Sequence, residues 1–319
     1  MRLYDVAPVS KGITKETLSY FGKDNITVGS IVSIPLRGKS SFGIIIGSRN
    51  VEEAKAEIRR GSFAIKKILK VVSKEFLSEE FMEAESETAR FYATSSGSVL
   101  EKLLPKLTLD NIQKIKLGKN IVKNKLPPEK IVVQADEEER FAHYKSFIRG
   151  QFAKNASVYF VLPTIEDIRQ AKNTLEKGIE PYTIAFHSGL SKKDFLSAYE
   201  KIKKYTHPLL VITTAPFLSL ERNDTGSIIL DKENSRGYKT LSRPFINYRR
   251  FVENLAKNKK IPILFGDILL SIETLKKVKD EVYAEFAPLK MRALSPAKGL
   301  LVDMKAKKGE FQEEFRILS

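Results

Sequence analysis

Apolar residues alternate with polar ones early in the chain. Val28-Gly29-Ser30-Ile31-Val32-Ser33-Ile34-Pro35 and Phe42-Gly43-Ile44-Ile45-Ile46-Gly47 follow the two-residue period of strands, and the intervening Leu36-Arg37-Gly38-Lys39-Ser40-Ser41 predicts a hairpin turn. A run with interleaved lysines, Phe63 to Val72, predicts another strand. Short strands at this spacing point to a small barrel or a curled sheet. The pattern then turns helical. Ser78 to Ala93 predicts a helix with Ser78 and Glu80 near its start, and Ser98 to Leu104 a shorter one stopped by Pro105. From Ile131 onward, strands and helices alternate. Apolar runs at Ile131–Val133, Ser157–Leu162, Tyr182–Phe186, Leu209–Thr213, Ser227–Leu230 and Ile261–Phe265 read as strands. Between them, Glu137–Gln151, Thr164–Lys177 with Thr164 as N-cap, Ser191–Lys203 and Arg243–Lys257 read as helices. This alternation predicts a parallel sheet covered on both faces by helices, so the fold class is α/β with a small, mostly β N-terminal part.

Composition changes the picture in three places. Residues 102–130 hold eight lysines against Asp110 and Glu129, and Pro127-Pro128 closes the stretch. Two readings stand for it: a solvated connector, or a strap that contacts phosphates. The chain has 319 residues, no Cys and only three His (His143, His187 and His207), far apart. That length suits two domains, and the residue counts exclude disulfide scaffolds, zinc ribbons, iron–sulfur clusters, thiol catalysis and a His-rich metal site. The formal net charge of +16 favours a polyanion, either nucleic acid or an anionic membrane surface. No window approaches the eighteen apolar residues of a membrane span, and MRLYDVAPVSKG lacks the apolar core of a signal peptide, so the expectation is a cytoplasmic protein with no membrane partner.

Ordered along nearly the whole chain are segments that resemble the PriA-like replication-restart helicases, the primosomal protein N′ family. They are Val6-Ala7-Pro8-Val9, Val28 to Pro35, Phe42 to Gly47, Phe91-Tyr92 and Leu103-Leu104-Pro105 in the first part. His187-Ser188-Gly189-Leu190-Ser191, Asp231-Lys232-Glu233-Asn234-Ser235-Arg236-Gly237-Tyr238-Lys239, Gly266 to Thr274 and Val302-Asp303-Met304 follow. The resemblance implies a 3′-end DNA-binding domain over residues 1–105, a basic linker over 106–130, and one RecA-like lobe of a superfamily 2 helicase over 131–319. Its 3′-end pocket corresponds here to Leu18, Ser19, the turn at Arg37, Gly38 and Lys39, and Lys66. The family usually has an aromatic residue and an Asp where this chain has Leu18 and Ser19. Gly38 allows close backbone approach, and Lys66 can neutralise a phosphate or be a plain exposed strand lysine.

The residues that the resemblance assigns to the motor are altered. A phosphate loop needs glycines, a lysine and a hydroxyl, yet the corresponding stretch reads Asp136-Glu137-Glu138-Glu139-Arg140-Phe141-Ala142-His143. Its four acids repel a triphosphate, and they suit the start of a helix. Arg140 falls near the lysine position. Asp231 ends a strand as magnesium binding requires, but Lys232 stands where a water-orienting Glu belongs, and a lysine cannot accept the proton. Glu233 is a poor substitute on the opposite face, Asn234 replaces a His, and Asp267-Ile268-Leu269-Leu270 lacks hydroxyls. Of the DNA-contacting segment Thr213-Thr214-Ala215-Pro216 only Thr214 is kept, without the usual Arg. Tyr238-Lys239, Arg243 and Arg249-Arg250 read either as a basic patch with an aromatic, suited to DNA, or as a solvated face, with Phe245 and Tyr248 open to a core role. The chain ends near the segment that resembles the junction between lobes, so one lobe is expected, and only the basic stretch separates Pro105 from that lobe, so no winged-helix insert is expected.

The resulting expectation is a DNA-binding protein of the replication-restart type that engages forked, single-stranded or 3′-ended DNA without hydrolysing ATP and needs no cofactor or metal. Two alternatives differ in class. One is a 3′–5′ DNA helicase using ATP and magnesium at Arg140, Asp231 and Glu233, completed by a missing half or a partner chain. The other is a docking module for single-strand binding protein or a replication loader. The expected setting is the bacterial cytoplasm, near the nucleoid.

Overall fold

Two sheets and the helices between them account for the described residues. The computed structural model describes residues 2–9, 17–23, 25–50, 65–115 and 129–288. The first sheet contains β1 (Arg2–Pro8), β2 (Leu18–Gly22), β3 (Ile31–Leu36), β4 (Lys39–Asn50), β5 (Lys66–Lys67) and β6 (Lys70–Ser73), in the order β5-β2-β1-β4-β3-β6. Tyr4, Val6, Tyr20, Ile26, Val32, Ile34 and Ile45 fill its core. β3 and β4 make the expected hairpin, with positive φ at both turn residues, 49° at Arg37 and 77° at Gly38. A two-residue turn of that hand matches the twist of the flanking strands.

The single strand read over Phe63–Val72 is two strands on opposite edges. β5 pairs with β2, and β6 pairs with β3. Between them the Ile68 amide donates to Phe21 at 2.9 Å and the Leu69 amide to Ser33 at 2.9 Å, so consecutive residues close the sheet on itself. Closure satisfies edges that would otherwise stay open, and it produces the expected curled sheet. Phe63 and Ala64 lie outside the described residues. The sequence pattern missed β1, whose buried Leu3-Tyr4 and Val6-Ala7 pairs break the alternation.

Helix α1 (Glu79–Phe91) starts where Ser78 Oγ accepts the Phe81 amide, and α2 (Ser96–Leu103) follows. Pro105 does not open a connector: it precedes α3 (Lys106–Asn111) and a 3₁₀ turn over Ile112–Lys114. Thr108, Asn111, Ile112 and Ile115 are buried there, so the first ten residues of the expected linker are packed structure. Their lysines hid a buried face repeating every three to four positions. The rest of the basic stretch, 116–128, lies outside the described residues.

The second sheet combines β7 (Lys130–Gln134), β8 (Ser157–Val161), β9 (Thr183–Phe186), β10 (Leu210–Thr213), β11 (Thr225–Asp231), β12 (Ile263–Asp267) and β13 (Ala284–Glu285). All pairings are parallel, in the order β13-β7-β12-β11-β8-β10-β9. Every residue of β8, β10 and β12 is buried, as parallel strands under helices require. The intervening helices are α4 (Glu137–Ala153), α5 (Ile165–Leu175), α6 (Lys192–Lys204), α7 (Tyr248–Lys259) and α8 (Ile272–Lys279). Thr164 and Ser191 cap α5 and α6. The helix expected from Arg243 begins five residues later, because Asn247 accepts the Arg249 amide and sets the start. Residues 240–246 form a loop above the Lys239–Asn247 bridge.

α1 packs on α7, and this contact joins the two sheets into one unit over Met1–Pro288. Phe81 and Phe251 meet edge to face at 5.0 Å. Asn254 donates to Thr88, Lys257 pairs with Glu87, and the Asn247 amide donates to Tyr92. Residues 289–319, with Val302-Asp303-Met304, lie outside the described residues. No helix among the described residues is long and apolar enough to cross a membrane.

Candidate DNA-binding surface and altered nucleotide site

The turn between β7 and α4 has only Ala135 and Asp136. Asp136 caps the helix by accepting the Glu139 amide at 3.0 Å, and Glu137, Glu138 and Glu139 form its first turn. The acidic run is thus a helix start, as its composition indicated. One turn on, Arg140 is 2% exposed, and its guanidinium turns toward the sheet. Nε donates to Asp231 Oδ1 at 2.6 Å and a terminal nitrogen donates to the Ala135 carbonyl at 2.9 Å. Tyr144, one turn further along the same face, donates its hydroxyl to the same Asp231 oxygen at 2.7 Å. Asp231 is 0% exposed at the end of β11. A Cβ at Gly266 of neighbouring β12 would lie 1.6 Å from the Tyr144 oxygen, so that glycine makes room for the cluster.

Burial holds the Asp231 carboxyl above its ordinary value, and the charge and hydrogen bond of Arg140, together with the Tyr144 hydrogen bond, oppose part of that rise. For Arg140, burial opposes the charge, but Asp231 outweighs it and the guanidinium is raised further. Burial and the Asp231 charge lift the Tyr144 hydroxyl well above its ordinary value, so it stays a proton donor.

The neighbouring strand-end groups are also engaged internally. Lys232, at a φ of 54°, pairs with Asp167 at 2.5 Å. Glu233 is a buried anchor and not merely a misplaced base: it pairs with Arg249 at 2.8 Å and accepts the Ser271 amide and hydroxyl. Asp267 accepts the amides of Asn234 and Ile268. A cleft of about 420 Å³ lies over this edge, lined by Glu137, Arg140, Lys232, Asn234, Asp267 and Leu269. Of the three marked residues, Arg140 and Asp231 touch, whereas Glu233 belongs to the Arg249–Ser271 group. The sequence reading missed Tyr144, and it put Arg249 in a basic patch and not beside Glu233. The i, i+4 spacing of Arg140 and Tyr144 was the available signal for the first.

In the N-terminal sheet, Leu18 stands opposite Val6 and Ser19 opposite Asp5. The Ser19 hydroxyl donates to Asp5 at 3.3 Å, and Asp5 also pairs with Arg49 at 3.0 Å. A carboxylate is therefore present beside position 19, one strand away. Lys66 stands opposite Tyr20 and is exposed. The Tyr20 hydroxyl donates to the Pro35 carbonyl, which ties β2 to the foot of the hairpin that carries Arg37, Gly38 and Lys39. Leu18, Ser19 and Lys66 thus lie on or beside β2, with Leu18 packed against the core of the sheet.

The marked lobe residues are less gathered. Lys239 and Arg243 are exposed on the loop before α7, and Thr214 follows β10, two strands away from β11. Tyr238 is no surface aromatic: it is buried, and its hydroxyl donates to the carbonyls of Val161 and Asp231. Arg249 is spent on Glu233, which leaves Arg250, stacked over the exposed Phe91 ring at 4.5 Å. Phe245 is exposed and Tyr248 is half-buried.

Comparison with known proteins places these observations. The family model of the PriA 3′ DNA-binding domain matches residues 6–105. Replication restart protein PriA of Helicobacter pylori is 25% identical over 279 residues, covering 83% of this chain and 42% of the relative. PriA of Buchnera aphidicola is 27% identical over 139 residues, 42% of this chain and 19% of the relative. The chain spans about two fifths of the length of the Helicobacter relatives that it matches. Among solved structures, Mss116p DEAD-box helicase domain 2 bound to an RNA duplex superposes with a TM-score of 0.35 at 13% identity, covering 50% of this chain and 64% of that one. A hypothetical ATP-dependent RNA helicase from Sulfolobus tokodaii gives 0.36 at 17%, covering 57% and 56%. Both superpositions are loose. Over residues 6–105 the chain is similar to the PriA 3′ DNA-binding domain, and its similarity to the PriA relatives runs on through the parallel α/β lobe that follows.

Proposed function

We propose that this chain holds forked or 3′-ended DNA at sites of replication restart, and that its lobe does so without hydrolysing ATP. The observation that carries the second half is the saturated Asp231 carboxylate, which accepts from Arg140 and Tyr144 at 0% exposure. A magnesium ion would need that carboxylate free, and removing one partner of such a buried pair typically costs about 3–5 kcal/mol. The residues present do not fit magnesium triphosphate in other respects. Glycines are absent from the β7–α4 turn, and three Glu open α4 where phosphates would lie. The first half is supported by the family match over residues 6–105 and by the +16 charge, because phosphate neutralisation with counterion release supplies affinity for any DNA. In this reading DNA is the primary partner, and single-strand binding protein and a loader are candidate second partners in the bacterial cytoplasm.

Two measurements on the purified chain test the proposal. A labelled fork with a free 3′ end is expected to bind more tightly than a blunt duplex of equal length at moderate salt, with no change on adding ATP and magnesium. Phosphate release is expected to stay at background with and without DNA. Equal affinity for fork and duplex overturns the fork reading, and DNA-stimulated hydrolysis overturns the non-hydrolytic one.

A further inference from the structure

The seam that closes the N-terminal sheet carries a cleft of about 290 Å³ that neither Leu18, Ser19, Gly38 nor Lys66 lines. Its floor is apolar: Phe21 and Ile26 on one side, Ile68 and Val71 on the other, with Leu69 58% exposed at the mouth. Among the described residues its charged lining is entirely basic. Lys23, Lys67 and Lys70 are exposed, and among the described residues none of them has a carboxylate partner. The volume is near the lower bound, about 300 Å³, of pockets that take small molecules.

A flat apolar body with negative charges at its margin fits this lining. A nucleotide of single-stranded DNA has that form, with its base against Phe21 and Leu69 and its phosphates beside the lysines. A base paired within a duplex cannot enter. An acidic peptide would use the lysines but leave the apolar floor in water. We propose that this cleft is a second nucleotide subsite, which takes an internal nucleotide of a strand whose 3′ end lies beside Leu18 and Lys66. Lys66 and Lys67 are consecutive in β5 and so face opposite sides of the sheet, and a strand passes from the first position to the second over this short, two-residue strand. The inference rests on the reading of the N-terminal domain as a holder of 3′-ended DNA.

The test is fluorescence anisotropy with a 5′-labelled single-stranded 12-mer, an abasic 12-mer of the same phosphate count, and an acidic peptide as competitor. The Lys67→Ala/Lys70→Ala variant is expected to bind the 12-mer about tenfold more weakly, with a salt slope smaller by about 1.4, as loss of two single-strand phosphate contacts requires. Phe21→Ala is expected to lower affinity for the 12-mer, but not for the abasic strand, by about 5- to 160-fold, the range of stacking losses. Circular dichroism checks that both variants keep the wild-type fold, and Lys67→Gln/Lys70→Gln repeats the test with side-chain length kept. If wild type binds the 12-mer and the folded variants bind it equally well, or if wild type binds the abasic strand as tightly, the subsite is refuted and the DNA-binding reading stands. If wild type binds the acidic peptide more tightly than the 12-mer, the cleft is a peptide site. If wild type binds no DNA, both readings fall.

Discussion

Arg140 and Asp231 are 91 positions apart in sequence and share a hydrogen bond of 2.6 Å where neither is open to solvent. Replacing Arg140 by Ala leaves a buried carboxylate with Tyr144 as its remaining side-chain donor, and a loss of about 3–5 kcal/mol is expected in urea unfolding. The double variant Arg140→Met/Asp231→Leu is expected to be more stable than either single one, because a packed apolar pair needs no desolvated charge. If Arg140→Ala unfolds like wild type, the pair is not what holds this edge. The sequence placed Arg140 near a phosphate-binding position. It could not show where the guanidinium points, because its partner enters from another strand of the sheet.

Between elements, the carboxylate of Glu253 on α7 collects contacts from three directions. Lys130 of β7 lies at 2.8 Å, Lys277 of α8 at 3.2 Å and the Tyr283 hydroxyl at 2.7 Å. Burial alone would raise this carboxyl, but the hydrogen bonds from Lys130 and Tyr283 and the charges of both lysines bring it down to about 2. A depressed carboxyl contributes stability that is fully present above its unfolded value, about 4.3, and that is lost as pH falls through the folded value. Glu253→Gln is therefore expected to cost on the order of 3 kcal/mol at neutral pH. In thermal melts its deficit should shrink as pH falls from about 4.5 to about 2. A deficit that does not change with pH would mean that packing, not charge, links these elements. Element type was legible in the sequence wherever period and cap agreed, as in α5 and α6 with Thr164 and Ser191. It was not legible in α3, a six-residue helix whose buried positions, Thr108 and Asn111, are polar and which opens a lysine-rich stretch, so composition pointed to solvent.

At the scale of the molecule, Phe81 of α1 and Phe251 of α7 join the two sheets. Phe251→Ala is expected to cost about 3–5 kcal/mol, the usual loss for a buried Phe. In hydrogen exchange, amides of β1 and β12 should lose protection together, and loss confined to the lobe would mean that the N-terminal sheet stands alone. The sequence by itself determined the two-part plan, the parallel lobe, the hairpin at Gly38, the basic surplus and the absence of a glycine loop. These depend on local period, residue type and charge, all of which are present within a few positions. Only the tertiary structure decided that residues 66–73 close the first sheet by serving both its edges. It also decided that Arg140 and Tyr144 saturate Asp231, and that Glu233 serves Arg249. Each of these depends on which strands become neighbours, and strand order follows from packing over the whole chain.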